Sequence, residues 1–382
     1  MSENYELRLY DTPLLSFELS SDISIGYAVK IKQIGEQRAL LPLDLELTGE
    51  GVLQWLERRV IPKNRTFVRE ILHSLGLSAG DTKGIMDVCK GLSLNDSYWV
   101  VPEAFDGKFA DCNLYENRFS EILSLVAYTG VTQSDAAFST SPELTTNGML
   151  PKAWRYIEGD GIYLYKGGTS GASNTGREPY SEYYASQAAK AMDLDAVHYD
   201  LENWKGILAS KCKLFTDMDT AFVPIARIVK SGGLAAVIQY YDNLGGHFAD
   251  SIRDMLVFDA LIYNEDRHFG NFGLLRNNHT GEIAAPAPIF DNGLSLFNFA
   301  ANYAALDEYA KTRAPAYNGT TFEGICQSFM TARQTEKLRK MLNFTFLRHP
   351  RLNLPEEHLA AIEKHLRKRA SQLIHLSRPH GR

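Results

Sequence analysis

Cysteine is scarce in this chain, and the four present, Cys89, Cys112, Cys212 and Cys326, stand far apart. No close pair suits a zinc ligand set, and nothing suggests a disulfide framework. Reduced thiols in a cytoplasmic protein are the simplest reading. Long apolar runs are missing too: none approaches the roughly 20 residues that span a bilayer, so no membrane is expected among the partners. The opening stretch, MSENYELRLYDTPLL, has no basic region followed by an apolar core and does not read as a signal peptide. An excess of positive charge is lacking: the net charge is -6, which argues against direct nucleic-acid binding. No internal repeat and no low-complexity tract is visible.

What is there suits a folded enzyme-sized chain. The 382 residues are 45% hydrophobic and 23% charged, close to soluble globular averages. At about 150 residues per domain this allows two or three lobes. Residues 1–130 read as an α+β accessory segment. Tyr5, Leu7, Leu9 and then Ile23, Ile25, Tyr27, Val29, Ile31 alternate as in strands. Helical spacing follows over Gly51–Val60 and Arg65–Leu75, with Asn64 as the expected cap of the second. Residues 133–146, rich in Ser, Thr, Asp and Ala, read as a linker. Residues 131–216 then carry two β-rich runs around Glu158-Gly-Asp-Gly161, a helix from Tyr180 to Met192, and further strands near His198 and Leu208. Residues 217–382 read as a mainly helical lobe, with the strongest helix from Ala249 to Tyr263.

That helix runs into Asn264-Glu-Asp-Arg-His-Phe-Gly-Asn271. A short strand, the turn Asn277–Gly281 and an extended return then deliver Asp291-Asn-Gly293. The two ends of such a hairpin lie side by side, so Asn271 and Asp291 are expected to be neighbours. Phosphoryl transfer needs this set. A carboxylate, Asp266, orients or deprotonates the attacking hydroxyl, and the oxygens of Asn271 and Asp291 hold Mg²⁺. A lone Asp in that place is usually a turn carboxylate; the spacing of the three is what raises it above that. Arg267 and His268 read as structural support.

Other residues complete a nucleotide site. Lys166 ends the strand-like run Ile162-Tyr-Leu-Tyr and presents a charge from a sheet, as an ATP lysine does. Glu182, or alternatively Glu178, lies early on the following helix and could fix that lysine. Thr145-Thr146-Asn147-Gly148, with Lys152 after it, lies where a loop over phosphates would sit. The chain has no GxGxxG, so this is not an ordinary protein-kinase glycine loop. The basic run Lys364–Arg369 reads first as a solvated helix face.

These residues resemble the HipA-like serine/threonine kinases, which share a DRHxxN pattern with phosphoinositide lipid kinases. Asp266–Asn271 with Asp291 carries the resemblance. The run Thr145–Lys152 is similar to that family's loop, though Met149-Leu150 stands where it has Ala-Gln, and Pro179–Tyr184 is similar to its Asn-Glu-Tyr. The resemblance covers about residues 140 to 350. It implies an α+β, two-lobed, kinase-like fold with a β-rich small lobe and a mainly helical C-terminal lobe, using ATP and Mg²⁺. It implies Asp266 as catalytic base and Lys211–Phe215, notably Lys213 and Phe215, near adenine. It also implies autophosphorylation at Thr145 or Thr146, with Ser139, Thr140 and Ser141 as neighbours, and a separate antitoxin partner protein. The expected activity is that of a serine/threonine protein kinase and toxin. A small-molecule or lipid kinase of the same fold, and a non-catalytic ATP-binding regulatory module, are the alternatives.

Overall fold

A computed structural model describes residues 2–22, 26–132, 140–171 and 174–376. The chain divides into two compact units. The first holds Met1–Lys166, Leu214–Val223 and Leu274–Ala284; the second holds Gly167–Lys213, Pro224–Gly273 and Ala285–Arg382.

The first unit begins with an antiparallel sheet. Its strand order is Gly26–Ile34, Thr12–Asp22, Ser2–Leu9, Tyr98–Pro102. Period-2 alternation puts Tyr5, Leu7 and Leu9 on one face, opposite Phe17, Leu15 and Thr12 of the next strand. That face packs on Trp55 and Leu56 of the helix Gly49–Glu57. Thr48 caps this helix by accepting from the Gly51 N–H. Gly49 is required there, because a Cβ would come within 2.2 Å of the Val29 carbonyl oxygen. A second cluster joins Ile71 and Leu72 of Val68–His73, Ile85 of Thr82–Cys89, and Leu123 and Val126 of Glu121–Thr129. The hairpin Lys152–Ile157 with Gly161–Lys166 pairs Lys152 directly opposite Lys166. The segment Leu274–Ala284 is fixed to this unit by buried Arg276, which donates to Leu41 O at 3.0 Å and to Tyr98 Oη at 2.7 Å.

The second unit is built on the helix Gly246–Ile262, whose last two turns are buried on every side. Around it lie Gly233–Leu244, Phe322–Phe329, Ala332–Arg339 and Glu356–Leu376, with the helix Glu178–Ala191 and the hairpin Tyr199–Trp204, Ile207–Lys213. No helix among the described residues is long and apolar enough to cross a membrane.

Some local expectations fail. The helix expected from Arg65 starts at Val68, behind a left-handed Phe67, and its cap makes no side-chain hydrogen bond, so Asn64 does not cap it. The strand Tyr98–Pro102 and the helices Thr82–Cys89, Glu121–Thr129 and Gly233–Leu244 are not evident from the sequence pattern. Ile23, Ile25 and the first half of the linker, residues 133–139 with Ser139, lie outside the described residues. The basic run near the C-terminus is not a solvated face throughout. Arg369 is buried, donates to Ala260 O at 3.1 Å and lies over the Tyr263 ring, and buried His365 bonds Asp307 at 3.0 Å. The apolar stripe of Leu359, Ile362, Leu366 and Leu373 carries His365 and Arg369 inward with it.

Candidate active site

In the second unit the helix Gly246–Ile262 ends because Tyr263 turns left-handed, at φ 53°. Asp259, one turn earlier and fully buried, organises the loop after the helix. Its carboxylate accepts from Asn264 Nδ2 at 3.1 Å and from Arg267 Nε at 3.0 Å. Burial pushes its carboxyl upward from the ordinary value, and Arg267 opposes that shift. Asn264 Oδ1 in turn accepts from the Asp266 N–H at 3.1 Å. The Asp266–Asn271 loop closes on itself: Asn271 Nδ2 donates to Asp266 O at 3.0 Å, and the Asn271 N–H donates to His268 O at 2.9 Å. This fixes the five-residue spacing that the sequence displays.

Arg267 joins this loop to the Asp291 segment. Its side chain is 1% exposed. One nitrogen, Nη1, donates to Asn271 O at 3.1 Å and also to Phe290 O; Nη2 donates to Asn292 Oδ1 at 2.5 Å. One guanidinium therefore holds the residue after the first loop's turn and both neighbours of Asp291. Asp291 itself is left-handed, at φ 57°, a conformation that Asp tolerates better than most residues. Its N–H donates to Tyr199 Oη at 3.1 Å. Burial holds the Tyr199 phenol far above its ordinary pKa, so it stays protonated. The next N–H, of Asn292, donates to Glu182 Oε2 at 2.7 Å. Glu182 is fully buried. Glu178, the alternative partner expected for Lys166, accepts from Thr169 Oγ1 at 2.7 Å and from the Thr169 N–H at 3.2 Å. His268 is exposed, and its Nδ1 accepts from the Gly270 N–H at 3.0 Å rather than donating toward Asp291.

In the first unit the loop residues lie beside the lysines. Lys152 and Lys166 are 6% and 9% exposed and stand opposite one another on the hairpin. Residues opposite in an antiparallel pair share a face. Two ammonium groups on one nearly dry face suit a polyanion. Lys152 Nζ donates to Asn147 O at 2.8 Å. Gly148, at φ 92°, allows this approach; a Cβ there would stand 2.2 Å from Nζ. Asn147 and Gly148 are exposed. The threonines face inward instead. Thr145 Oγ1 donates to Leu92 O at 2.8 Å, and Thr146 Oγ1 donates to Pro142 O at 2.6 Å while accepting from Trp154 Nε1. Their hydroxyls brace the loop. Phe215 packs edge-on against Phe222, and Lys213 is exposed at the end of its strand.

Asp259, Asn264, Asn292 and Tyr199 do not stand out in the sequence as site residues. A charged residue amid Phe258, Ala260 and Leu261 is a visible signal for Asp259. The others carry none.

The class follows from the fold: it is the HipA-like kinase fold. HipA of Shewanella oneidensis MR-1, solved with HipB and operator DNA, superposes at a TM-score of 0.58 and 14% identity, covering 96% of this chain and 97% of that one. In sequence the chain is similar to the serine/threonine-protein kinase CtkA of Helicobacter pylori strain J99, with 30% identity over 134 residues, 31% of this chain. The match spans 40% of that relative's length. The solved structure of the H. pylori proinflammatory kinase CtkA gives a TM-score of 0.46 at 20% identity, covering 61% of this chain and 91% of that one. No protein-family model matches. The resemblance to HipA-like serine/threonine kinases is supported by the structural and the sequence comparison together. Because the HipA structure contains operator DNA, it gives no support to the expectation that nucleic acid is no partner.

Proposed function

We propose that this chain is an ATP- and Mg²⁺-dependent serine/threonine protein kinase of the HipA-like type. The observation that carries the reading is the Arg267 clasp, which ties the Asp266–Asn271 loop to the segment bearing Asp291. The donor set fits the cofactors. Asn271 and Asp291 offer two oxygen ligands, in keeping with a Mg²⁺ that takes the rest from phosphates and water. Lys152 and Lys166 offer paired positive charge to the phosphates.

ATP supplies the phosphoryl group and Mg²⁺ the charge that screens it. Asp266 orients the acceptor hydroxyl and takes its proton. Asn271 and Asp291 would hold the metal, while Tyr199 and Glu182 accept from the peptide N–H groups before and after Asp291 and so fix its backbone. Lys166 neutralises the α- and β-phosphates, with Lys152 and the exposed Asn147–Gly148 backbone beside it. Lys213 and Phe215 are assigned to the adenine end. In this reading the chain is a toxin with a separate antitoxin, and it phosphorylates its own loop at Thr145 or Thr146. Both hydroxyls are internally bonded here, so self-phosphorylation requires the loop to leave its place, and the product's two negative charges would keep it out.

The test is transfer of labelled phosphate from Mg·ATP by the purified chain, with Asp266→Asn alongside and intact mass on both. Label on the wild type alone, mapping to the loop, supports the reading. Transfer to a soluble metabolite and never to protein would point to a small-molecule kinase, and ATP binding without turnover to a regulatory module.

A further inference from the structure

The loop Glu143–Lys152 is held from a distant part of the chain. Arg65 and Glu143 form an ion pair whose two side chains are both 0% exposed. Arg65 Nη2 donates to the Glu143 carboxylate and, at 2.9 Å, to Lys152 O. Its Nη1 donates to Glu143 O at 2.6 Å and to Thr146 O at 3.4 Å. The other Glu143 oxygen accepts from the Trp154 N–H at 2.7 Å. Next to Arg65, the Thr66 N–H donates to Met149 O at 2.9 Å. The loop is thus pinned at its start, twice in its middle and at its end by two consecutive residues. Between Leu144 and Lys152 it has no regular secondary structure to hold it otherwise.

We propose that Arg65 is a positioning residue for phosphate binding, so that the segment of residues 1–130 supplies part of the nucleotide site. This rests on the assignment of the loop to phosphate. Backbone N–H groups bind phosphate well only when they are already in place, since ordering a loop at the moment of binding subtracts from affinity. The Arg65 fork serves three carbonyls and the Glu143 carboxylate at once, more acceptors than the three donors of a lysine can satisfy.

The experiment compares ADP with adenosine by calorimetry on the full chain. The variants are Arg65→Lys and the double change Arg65→Met with Glu143→Leu. The double change removes both buried charges together, which avoids leaving one unpaired and keeps the fold testable by thermal melting. The wild type is expected to bind ADP at least about tenfold more tightly than adenosine; in the double variant that ratio falls toward one with adenosine affinity kept, and Arg65→Lys lies between. An unchanged ratio in the folded variants, or an equal loss for both ligands, overturns the inference and leaves the kinase reading standing. A wild type that does not prefer ADP overturns the phosphate-loop assignment and the inference with it.

Discussion

The loop at Glu143–Lys152 and the loop at Asp266–Asn271 are braced by the same device. In each, a buried arginine pairs with a buried carboxylate and also donates to backbone carbonyls: Arg65 with Glu143, reaching Glu143 O, Thr146 O and Lys152 O, and Arg267 with Asp259, reaching Asn271 O and Phe290 O. They differ in where the arginine comes from. Arg267 belongs to the loop it braces and lies eight residues from Asp259. Arg65 lies 78 residues before Glu143. A local brace forms with the helix that carries it. A distant one exists only once the rest of its unit has folded, so the first loop depends on the whole unit around it and the second on one helix end.

The two braces are expected to cost alike in stability and differently in kinetics. Breaking either pair with Arg→Met strands a buried carboxylate, at about 3–5 kcal/mol in urea titration. Arg267→Met also lets the Asn271 and Asp291 segments part, so turnover falls. Arg65→Met raises the KM for ATP more than it lowers kcat. If both variants lose turnover alone, the comparison fails. Asp266→Asn is the reference for chemistry without loss of fold: transfer drops by roughly 10²–10⁴ with the melting curve and ATP affinity unchanged.

The same contrast explains what is legible in the sequence. The Asp266–Asn271 motif is legible because its defining contacts are local; Asn271 Nδ2 reaches the carbonyl five residues back. The strands Ser2–Leu9 and Gly26–Ile34 and the long helix are legible from period. The Arg65 brace is not, since neither residue of the pair stands in a pattern that points to the other. Glu182 is expected from the sequence to serve Lys166, and its bond to the Asn292 N–H cannot be foreseen without the fold. The basic helix misleads for a related reason: charge composition says nothing of which face His365 and Arg369 take.

Two milder changes sharpen the comparison, one on each loop. Tyr199→Phe removes the acceptor for the Asp291 N–H and leaves that donor unsatisfied, at about 1–3 kcal/mol. A magnesium titration of transfer is expected to shift to higher concentration, with ADP affinity in the absence of metal unchanged. An unshifted titration would separate Asp291 from the metal. Gly148→Ala forces a side chain into left-handed backbone, at about 1–2 kcal/mol, and pushes the Lys152 ammonium aside. ADP affinity should fall by roughly tenfold, the worth of one charged hydrogen bond. Here the magnesium midpoint should hold.

Arg267 keeps its charge when buried, because Asp259 offsets the cost of burial. His365 gives a contrasting case on the helix Glu356–Leu376, where the buried group can shed its charge instead. Burial lowers its pKa below the ordinary imidazole value, against the attraction of Asp307 and with Arg369 and Lys368 adding to the fall. The folded protein therefore takes up this proton less readily than the unfolded chain. Stability from neutral His365 is present above about pH 6.5 and is lost as pH falls through that value toward the depressed folded pKa. His365→Gln should flatten this part of the stability curve between about pH 7 and pH 5, measured as the difference between variant and wild type so that His358, also lowered by burial, cancels. This is the smallest of the effects, because one proton is at stake and Asp307 partly offsets the cost of charging the ring. Parallel curves would mean that Asp307 offsets the whole cost of charging the ring, as a carboxylate partner does for Arg267.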